Sequence, residues 1–349
     1  MKKITAFIFC FIALCVLQSC KQSEAKSVSF YHWKTKYSIA EPERDLLKKA
    51  NSEKLYLRFF DLVYSQEENR VLPTATLQVP RVDSILTLQV VPVIYITNEV
   101  FQKETKPSQL KFIADQTLRK ILRLKEKHFK KNTNFPEIQI DCDWTVSTRE
   151  AYFTFLEELQ KSELLSQFER NPIKFSATIR LHQVKFPEKT GVPPVDKATI
   201  MFYNVGDLGS IEETNSILNI EKTSSYLSRL HKYPLEYNVA LPIFGWGVLY
   251  RDNQLVGILS DIDEKQLTEN FTVSDKENWF VATTNTYLNG SFVYKGDELR
   301  KENVTLSDFK KLQKMVSKAA GREYSVILYH INSATLQNLD INELLETIR

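Results

Sequence analysis

The chain has 349 residues, with 46 Lys and Arg against 43 Asp and Glu, for a formal net charge of +3 at pH 7. That near balance argues against an electrostatic nucleic-acid binder. Nine glycines leave little material for a phosphate-cradling loop, and five scattered histidines with no HExxH pairing offer no metal site.

The N-terminus reads as an export signal. Lys2 and Lys3 precede the apolar run Ile4–Leu17, which is too short to span a bilayer and leads into Leu17-Gln18-Ser19-Cys20. This ending resembles the lipobox of bacterial lipoproteins, which implies that Cys20 becomes the acylated first residue after loss of residues 1–19. Lys21 and Gln22 differ from the Asp-type inner-membrane retention signal. By the same resemblance, the expected location is the cell envelope, lipid-anchored, at the outer membrane. Residues 20–26 would form a polar tether, and 27–349 the folded unit. Only Cys20 and Cys142 survive removal of the signal, so no disulfide framework is available, and Cys142 is expected to be a small buried apolar residue.

Beyond the tether, apolar strand-like runs alternate with amphipathic helical ones, the pattern of an α/β fold with a parallel sheet. Strands are predicted over Ser27–Trp33, Lys54–Tyr64 and Leu86–Ile96. Helices are predicted over Pro42–Ala50 and Pro107–Phe129, each opened by a proline. The cluster Arg119, Lys120, Arg123, Lys125, Lys127, Lys130 and Lys131 reads as the solvated face of the second helix. The fourth strand, Ile138–Trp144, carries the most informative residues, and the helix Thr148–Lys161 follows it. Fifth and sixth strands are predicted over Lys174–Leu181 and Lys197–Tyr203, a helix over Glu213–His231, and a seventh strand over Glu236–Gly245. Tyr250–Lys295 then breaks the rhythm with short β-like pieces and the turn pairs Asp252-Asn253 and Asn289-Gly290. A helix over Thr305–Ala319 and an eighth strand over Arg322–Ile331 complete the chain. The expected fold is a (β/α)8 TIM-like barrel with a β-rich insertion, about residues 251–300, between the seventh and eighth strands. The alternative is an open barrel beside a small C-terminal β subdomain.

Strand side chains alternate, so Gln139, Asp141 and Asp143 share one face, opposite Ile140 and Cys142. If that face is the barrel interior, two acids stand close together near the mouth, and a neighbouring Arg is needed to relieve their repulsion. Arg180, which shares a face of the fifth strand with His182, is the nearest candidate. Arg58 ends the second strand in a similar way. Trp33, Glu99, Trp144, Tyr203, Asn204 and Trp246 also fall near strand ends, describing a polar mouth lined by aromatics. Each has a plainer reading: buried arginines satisfy buried acids, and aromatics fill cores. No GxGxxG, GxxxxGK(S/T) or GxSxG motif occurs, so no cofactor is expected.

Three stretches carry a family resemblance. Asp141-Cys142-Asp143-Trp144-Thr145 resembles the end of the DxxDxDxE strand of the chitinase-like family 18 glycoside hydrolases. Met201-Phe202-Tyr203-Asn204 is similar to that family's M-x-Y-D, and Leu241-Pro242-Ile243-Phe244-Gly245 to its L-P-x-Y-G. Together with Thr178-Ile179-Arg180-Leu181-His182-Gln183 and Pro193-Pro194-Val195-Asp196, they look closer still to uncharacterised Bacteroidetes-type lipoproteins related to those barrels. In the family's hydrolases the substrate's acetamido group is the nucleophile, and a Glu protonates the leaving oxygen. The resemblance implies that Asp143 is the acid orienting the acetamido group and Tyr203 its supporting hydroxyl. Thr145 stands where the Glu should be, Ile138 where the first acid should be, and Asn204 replaces the Asp of M-x-Y-D. A hydroxyl does not protonate a glycosidic oxygen at neutral pH.

Two readings follow. The first is a non-catalytic, glycan-binding envelope lipoprotein whose partner is carbohydrate. The second is a divergent hydrolase using Asp141 and Asp143. Successive same-face strand positions lie roughly 6.5–7 Å apart, which overlaps the lower end of the roughly 6.5–9.5 Å used by inverting enzymes.

Overall fold

Eight parallel strands close on themselves in the computed structural model, which describes residues 25–349 apart from 81–87, 131–132, 134, 169–171, 261, 263, 333–335, 337–338 and 349. The expected export signal and Cys20 lie outside the described residues. The barrel strands are β1 (Ala25–His32), β2 (Lys54–Ser65), β4 (Gln89–Ile96), β5 (Glu137–Asp141), β6 (Lys174–Arg180), β7 (Lys197–Met201), β8 (Glu236–Pro242) and β16 (Tyr324–Tyr329). Neighbours pair in chain order, and the ring closes where β1 meets both β2, at Tyr31 opposite Tyr56, and β16, at Ser29 opposite Ile327. This closure excludes the open-barrel alternative. Ala25 and Lys26, expected in the tether, belong to β1.

Helices α1 (Glu41–Lys49), α2 (Asn98–Lys103), α3 (Pro107–His128), α4 (Arg149–Lys161), α5 (Leu181–Lys185), α6 (Pro187–Thr190), α7 (Ile220–Tyr226), α8 (Glu264–Asn270), α9 (Leu306–Ala320) and α10 (Ile341–Ile348) fill the connections. The long α3 starts on Pro107, whose missing N–H costs nothing in a first turn. It buries Leu110, Ile113, Ala114, Leu118, Ile121 and Leu124, a helical-period stripe against the sheet. The Thr305 hydroxyl accepts the Asp308 N–H to cap α9, and Gly321, left-handed at φ 64°, ends it.

Barrel interior and outer layer are chemically distinct. Ile138, Ile140 and Cys142 are buried in the apolar layer, with Phe175, Ala177 and Ile179 from β6. The opposite face of the same strands is polar. The Tyr31 hydroxyl donates to Gln139 Oε1 at 2.5 Å, and Gln139 Nε2 donates to Ser176 and Thr199. Below them, Ser176 and Tyr56 donate to Glu137, and Asn238 donates to Tyr56. Residues of β1, β2, β5, β6, β7 and β8 thus meet across the axis. Each of these interior side chains has a partner, which is the condition for keeping polar groups there.

The segment between β8 and α9 is an antiparallel sheet built from β9 (Gly245–Arg251), β10 (Gln254–Ser260), β11 (Phe271–Val273), β12 (Trp279–Ala282) and β15 (Glu298–Asn303), in the order β10-β9-β15-β12-β11. A separate hairpin pairs β13 (Thr286–Leu288) with β14 (Ser291–Val293). Both predicted turn pairs adopt positive φ: Asp252 and Asn253 at 50° and 60°, Asn289 and Gly290 at 48° and 85°. That is the backbone a two-residue hairpin turn demands. The insertion has its own core, including Leu249, Leu259, Phe271 and Leu299, and it is wider than 251–300 because β9 and β15 form its central pair. A fully buried ion pair joins it to the barrel: Arg300 Nε donates to Glu302 Oε1 at 2.7 Å, while Glu302 Oε2 accepts from Ser216 N–H and Oγ and from Trp246 Nε1.

Other elements also differ from the sequence reading. A short antiparallel strand, β3 (Arg70–Thr74), folds back on β2 through a turn in which Asn69 has φ 50°. The helix expected over Glu213–His231 is only α7 followed by a 3-10 stretch, Leu227–Lys232. Glu213 lies outside it; burial alone would raise its pKa, but hydrogen bonds from Lys222, Asn219 and the Asp207 N–H together outweigh that and lower it to about 2. The third strand starts at Gln89, and residues 86–87 lie outside the described residues.

Candidate functional site

The fourth strand delivers its acids at two levels. β5 ends at Asp141, paired with Tyr95 of β4, so Asp143 and Trp144 lie in the loop beyond it. Asp141 stays inside the barrel, where the Thr178 hydroxyl donates to its Oδ1 at 2.6 Å. Burial pushes its pKa from 3.8 up to about 7; the Thr178 hydrogen bond and Arg180 oppose the rise, and Asp143 and Asp61 add to it.

Asp143 meets the cation that the sequence called for. Arg180 ends β6 and donates Nε to Asp143 Oδ1 at 2.6 Å and Nη2 to Oδ2, a two-pronged guanidinium–carboxylate pair. The guanidinium is aimed by its surroundings: Gln183 Oε1 accepts the Arg180 N–H at 2.8 Å, Gln183 Nε2 donates to the Trp144 carbonyl at 3.1 Å, and Arg180 Nη1 reaches the Asn204 carbonyl at 3.4 Å. Asn204 sits at φ 56°, a left-handed conformation asparagine tolerates better than most residues.

These residues surround one cleft of about 430 Å³, within the range of small-molecule sites. Asp143, Trp144, Arg180, His182, Tyr203 and Asn204 all line it, as do Thr145, Thr190 and Tyr226. Among its described lining residues Asp143 is the one carboxylate, and it is occupied by Arg180. Thr145 is exposed, with its hydroxyl in a chain of hydroxyls: Ser147 Oγ lies 2.9 Å away and Thr148 Oγ1 3.2 Å, and Thr148 in turn donates to Asn98. His182 is exposed, and its pKa is lowered by partial burial and by the Arg180 charge.

Aromatic rings pave the rest of the mouth, with Tyr329 at their centre. Its ring stacks on Tyr203 at 4.8 Å and 21°, and meets Trp33 at 5.5 Å and Phe244 at 5.4 Å edge-on. Phe244 passes the contact to Trp246 at 5.2 Å. Tyr203 and Tyr329 hydroxyls are both pushed well above their ordinary pKa, by burial first, so both are neutral donors near neutral pH. Tyr95, raised to about 12 by burial and by Asp141 and Asp143, belongs to the same group.

Not every predicted residue joins the cleft. Arg58 lies apart from the cleft lining, donating two hydrogen bonds to the Asp61 carboxylate and sitting over the Trp33 ring at 5.3 Å. Trp144 is buried, stacked on Tyr152 at 5.1 Å with its Nε1 donating to the Thr190 carbonyl, so only part of it can reach a ligand. Glu99 accepts from Gln66 beside the β2–β3 hairpin and does not line the cleft. Trp246 belongs to β9 of the insertion, where Glu302 holds its indole N–H, and it too lies outside the lining. Among the described residues no group of three His, Cys, Asp or Glu could hold a metal ion. Sequence reasoning missed Tyr95, Thr178 and Tyr329. For Tyr329 the signal was the one applied to Trp33, an aromatic at a strand's C-terminal end.

No protein-family model matches this chain, and no curated protein does. Solved structures do. The spore cortex-lytic enzyme SleL of Bacillus cereus is 15% identical, with 94% of this chain and 75% of that one covered and a TM-score of 0.53. A GH18 chitinase from Cycas revoluta, solved with (GlcNAc)4, is 14% identical with 92% and 98% covered and a TM-score of 0.52. The chitinase-like agglutinin of Robinia pseudoacacia is 10% identical, with 92% and 99% covered and a TM-score of 0.52. These likenesses define the fold as a closed (β/α)8 barrel, the architecture these chitinase-like structures share. At such identities they speak to architecture alone, and that architecture is shared by hydrolases and an agglutinin.

Proposed function

We propose that the barrel mouth binds a glycan and does not hydrolyse it by the acid catalysis of the chitinase-type enzymes. One observation carries this reading: the cleft's carboxylate, Asp143, is clamped by Arg180, and the neighbouring Thr145, at the position of the family's proton donor, offers a hydroxyl. Held by both prongs of the Arg180 guanidinium, the Asp143 carboxylate is placed to accept a hydrogen bond, as an N-acetyl N–H would require, while the Thr145 hydroxyl is a poor proton donor to a glycosidic oxygen. Tyr203, Tyr329 and Trp33 supply flat apolar faces with polar edges, the surface that pairs with a sugar ring. The resemblance of the chitinase-like agglutinin to this barrel supports binding without turnover.

Calorimetric titration of the full chain with (GlcNAc)4, peptidoglycan fragments and N-glycan fragments, with product analysis of the same samples, tests the reading. Saturable binding of one of them without cleavage is expected, with Asp143→Asn weakening it. Cleavage that disappears in Asp143→Asn would overturn the proposal. It would favour the second reading, a divergent hydrolase using Asp141 and Asp143. That alternative draws on Asp141 holding a proton up to about pH 7 and predicts a rate that falls as pH rises through that value.

We further propose that Cys20 anchors the chain to a bacterial envelope membrane, the outer one by its Lys21-Gln22 sequence. Metabolic labelling with an alkyne fatty acid should mark the wild type and not Cys20→Ser.

A further inference from the structure

A second depression lies on the flank of the barrel, away from the mouth. It is a groove of about 620 Å³ between the β2–β3 hairpin and α3. Phe60, Leu62, Ile113 and Leu124 form its floor, each less than a tenth exposed. Phe112 projects over it and is 63% exposed. An exposed Phe continuous with an apolar furrow of this size has the form of a ligand-binding groove.

Its rim is cationic. Lys120, Arg123 and Lys127 stand three and four residues apart, so they share one face of α3 and converge on one end of the groove. Among the described residues none of the three has an acidic partner within ion-pair distance, although most other basic groups at the barrel's functional positions do. Lys120 lies over the Phe60 ring at 5.3 Å, bringing its ammonium to the edge of the apolar floor. Its pKa is lowered by burial and by the Arg123 charge, so the two cations repel one another. The groove's own acid, Glu104, precedes the other end of the helix.

We infer that this groove takes the acyl chain of an anionic amphiphile, with the chain over Phe60, Leu62 and Phe112 and the head group held by Lys120, Arg123 and Lys127. Three like charges beside a continuous apolar floor match an anion joined to a hydrocarbon tail. The bare anion would leave the floor wet, and a neutral lipid would leave the cations unpaired. An acidic peptide fits less well. The hairpin wall is the sheet's edge strand β3, where Pro73 removes a backbone donor and discourages strand addition. The groove is separate from the glycan cleft, and no residue lines both.

The test is calorimetric titration of the full chain with dodecyl phosphate below its micellar concentration. A neutral dodecyl ether and inorganic phosphate serve as tail-only and head-only probes. Saturable one-to-one binding of dodecyl phosphate is expected, stronger than either probe. Lys120→Gln with Arg123→Gln should weaken it by about tenfold or more, the loss of charge-assisted contacts. Phe112→Asp should weaken it as well, and it lies at an exposed position where the fold tolerates the change. Circular dichroism and retained (GlcNAc)4 binding, where the wild type shows it, confirm that the variants are folded. Absence of saturable binding, equal binding of the neutral ether, or indifference to the double substitution would overturn the inference. So would capture of an acidic amphipathic peptide by a protein that ignores dodecyl phosphate.

Discussion

Replacing Asp141 with Asn should stabilise the protein at alkaline pH and do much less in acid. The carboxyl moves from 3.8 to about 7 on folding. At about 1.4 kcal/mol per pH unit, ionising it inside the barrel costs on the order of 4 kcal/mol, an upper figure because the side chain keeps some contact with solvent. The sign follows from proton counting. Below about pH 4 the group is protonated in both folded and unfolded chains and contributes nothing. Between about 4 and 7 the unfolded chain has released its proton while the folded one keeps it, so this group's contribution to stability falls with each pH unit. Above about 7 the loss levels off. Asn keeps the carbonyl that accepts the Thr178 hydroxyl and removes the ionisation. Urea unfolding of wild type and Asp141→Asn, at intervals from pH 4.5 to 8.5, reads the difference directly. The gap should widen in favour of the variant as pH rises to about 7 and then hold steady. A gap that is the same at pH 5 and pH 8 would refute the assignment of a raised pKa to Asp141.

Arg180→Gln removes a charge that holds Asp141 down, so the pH at which that gap levels off should move upward. Its cost at neutral pH should be only about 1–2 kcal/mol, because the Asp143 side chain is 41% exposed and screened. Glu302→Ala strands the buried Arg300 and three donors, and should lower unfolding free energy in urea by about 3–5 kcal/mol. Trp144→Phe takes the indole N–H from the Thr190 carbonyl and leaves a small void against Tyr152, for a loss of about 1–3 kcal/mol by the same assay. Near-neutral outcomes for both would mean that water or repacking replaces these contacts.

The eight barrel strands were legible in the sequence because each is a run of β-branched and aromatic residues ending near polar ones. Arg180 was also legible, since two acids in adjacent same-face positions need a cation. The β2–β3 hairpin was not: Arg70–Thr74 is short, carries Pro73 and sits at an edge, so it shows no alternating buried face. The helix over Glu213–His231 misled because the loop Asn204–Asn219 is organised by Glu213 and Asn215 hydrogen bonds, which helical periodicity does not register. Glu99 and Trp246 sit near strand ends along the chain, as the mouth rule asks. Local geometry then turns them aside, one onto a helix beside the hairpin and the other into the first strand of the insertion.

The strand that closes the ring also completes the mouth. Ser27 and Ser325 share a hydrogen bond across a separation of 298 residues, and β16 carries Tyr329 into the centre of the aromatic floor. A nascent chain can therefore hold Asp143 and Arg180 before it holds a finished cleft, because the surface between Trp33, Tyr203 and Phe244 awaits a strand made only after the whole insertion. Contacts so distant along the chain form late and slowly. Assembly of the mouth is thus coupled to completion of the fold, and a chain shortened before Tyr324 would lose its aromatic floor together with its closed barrel.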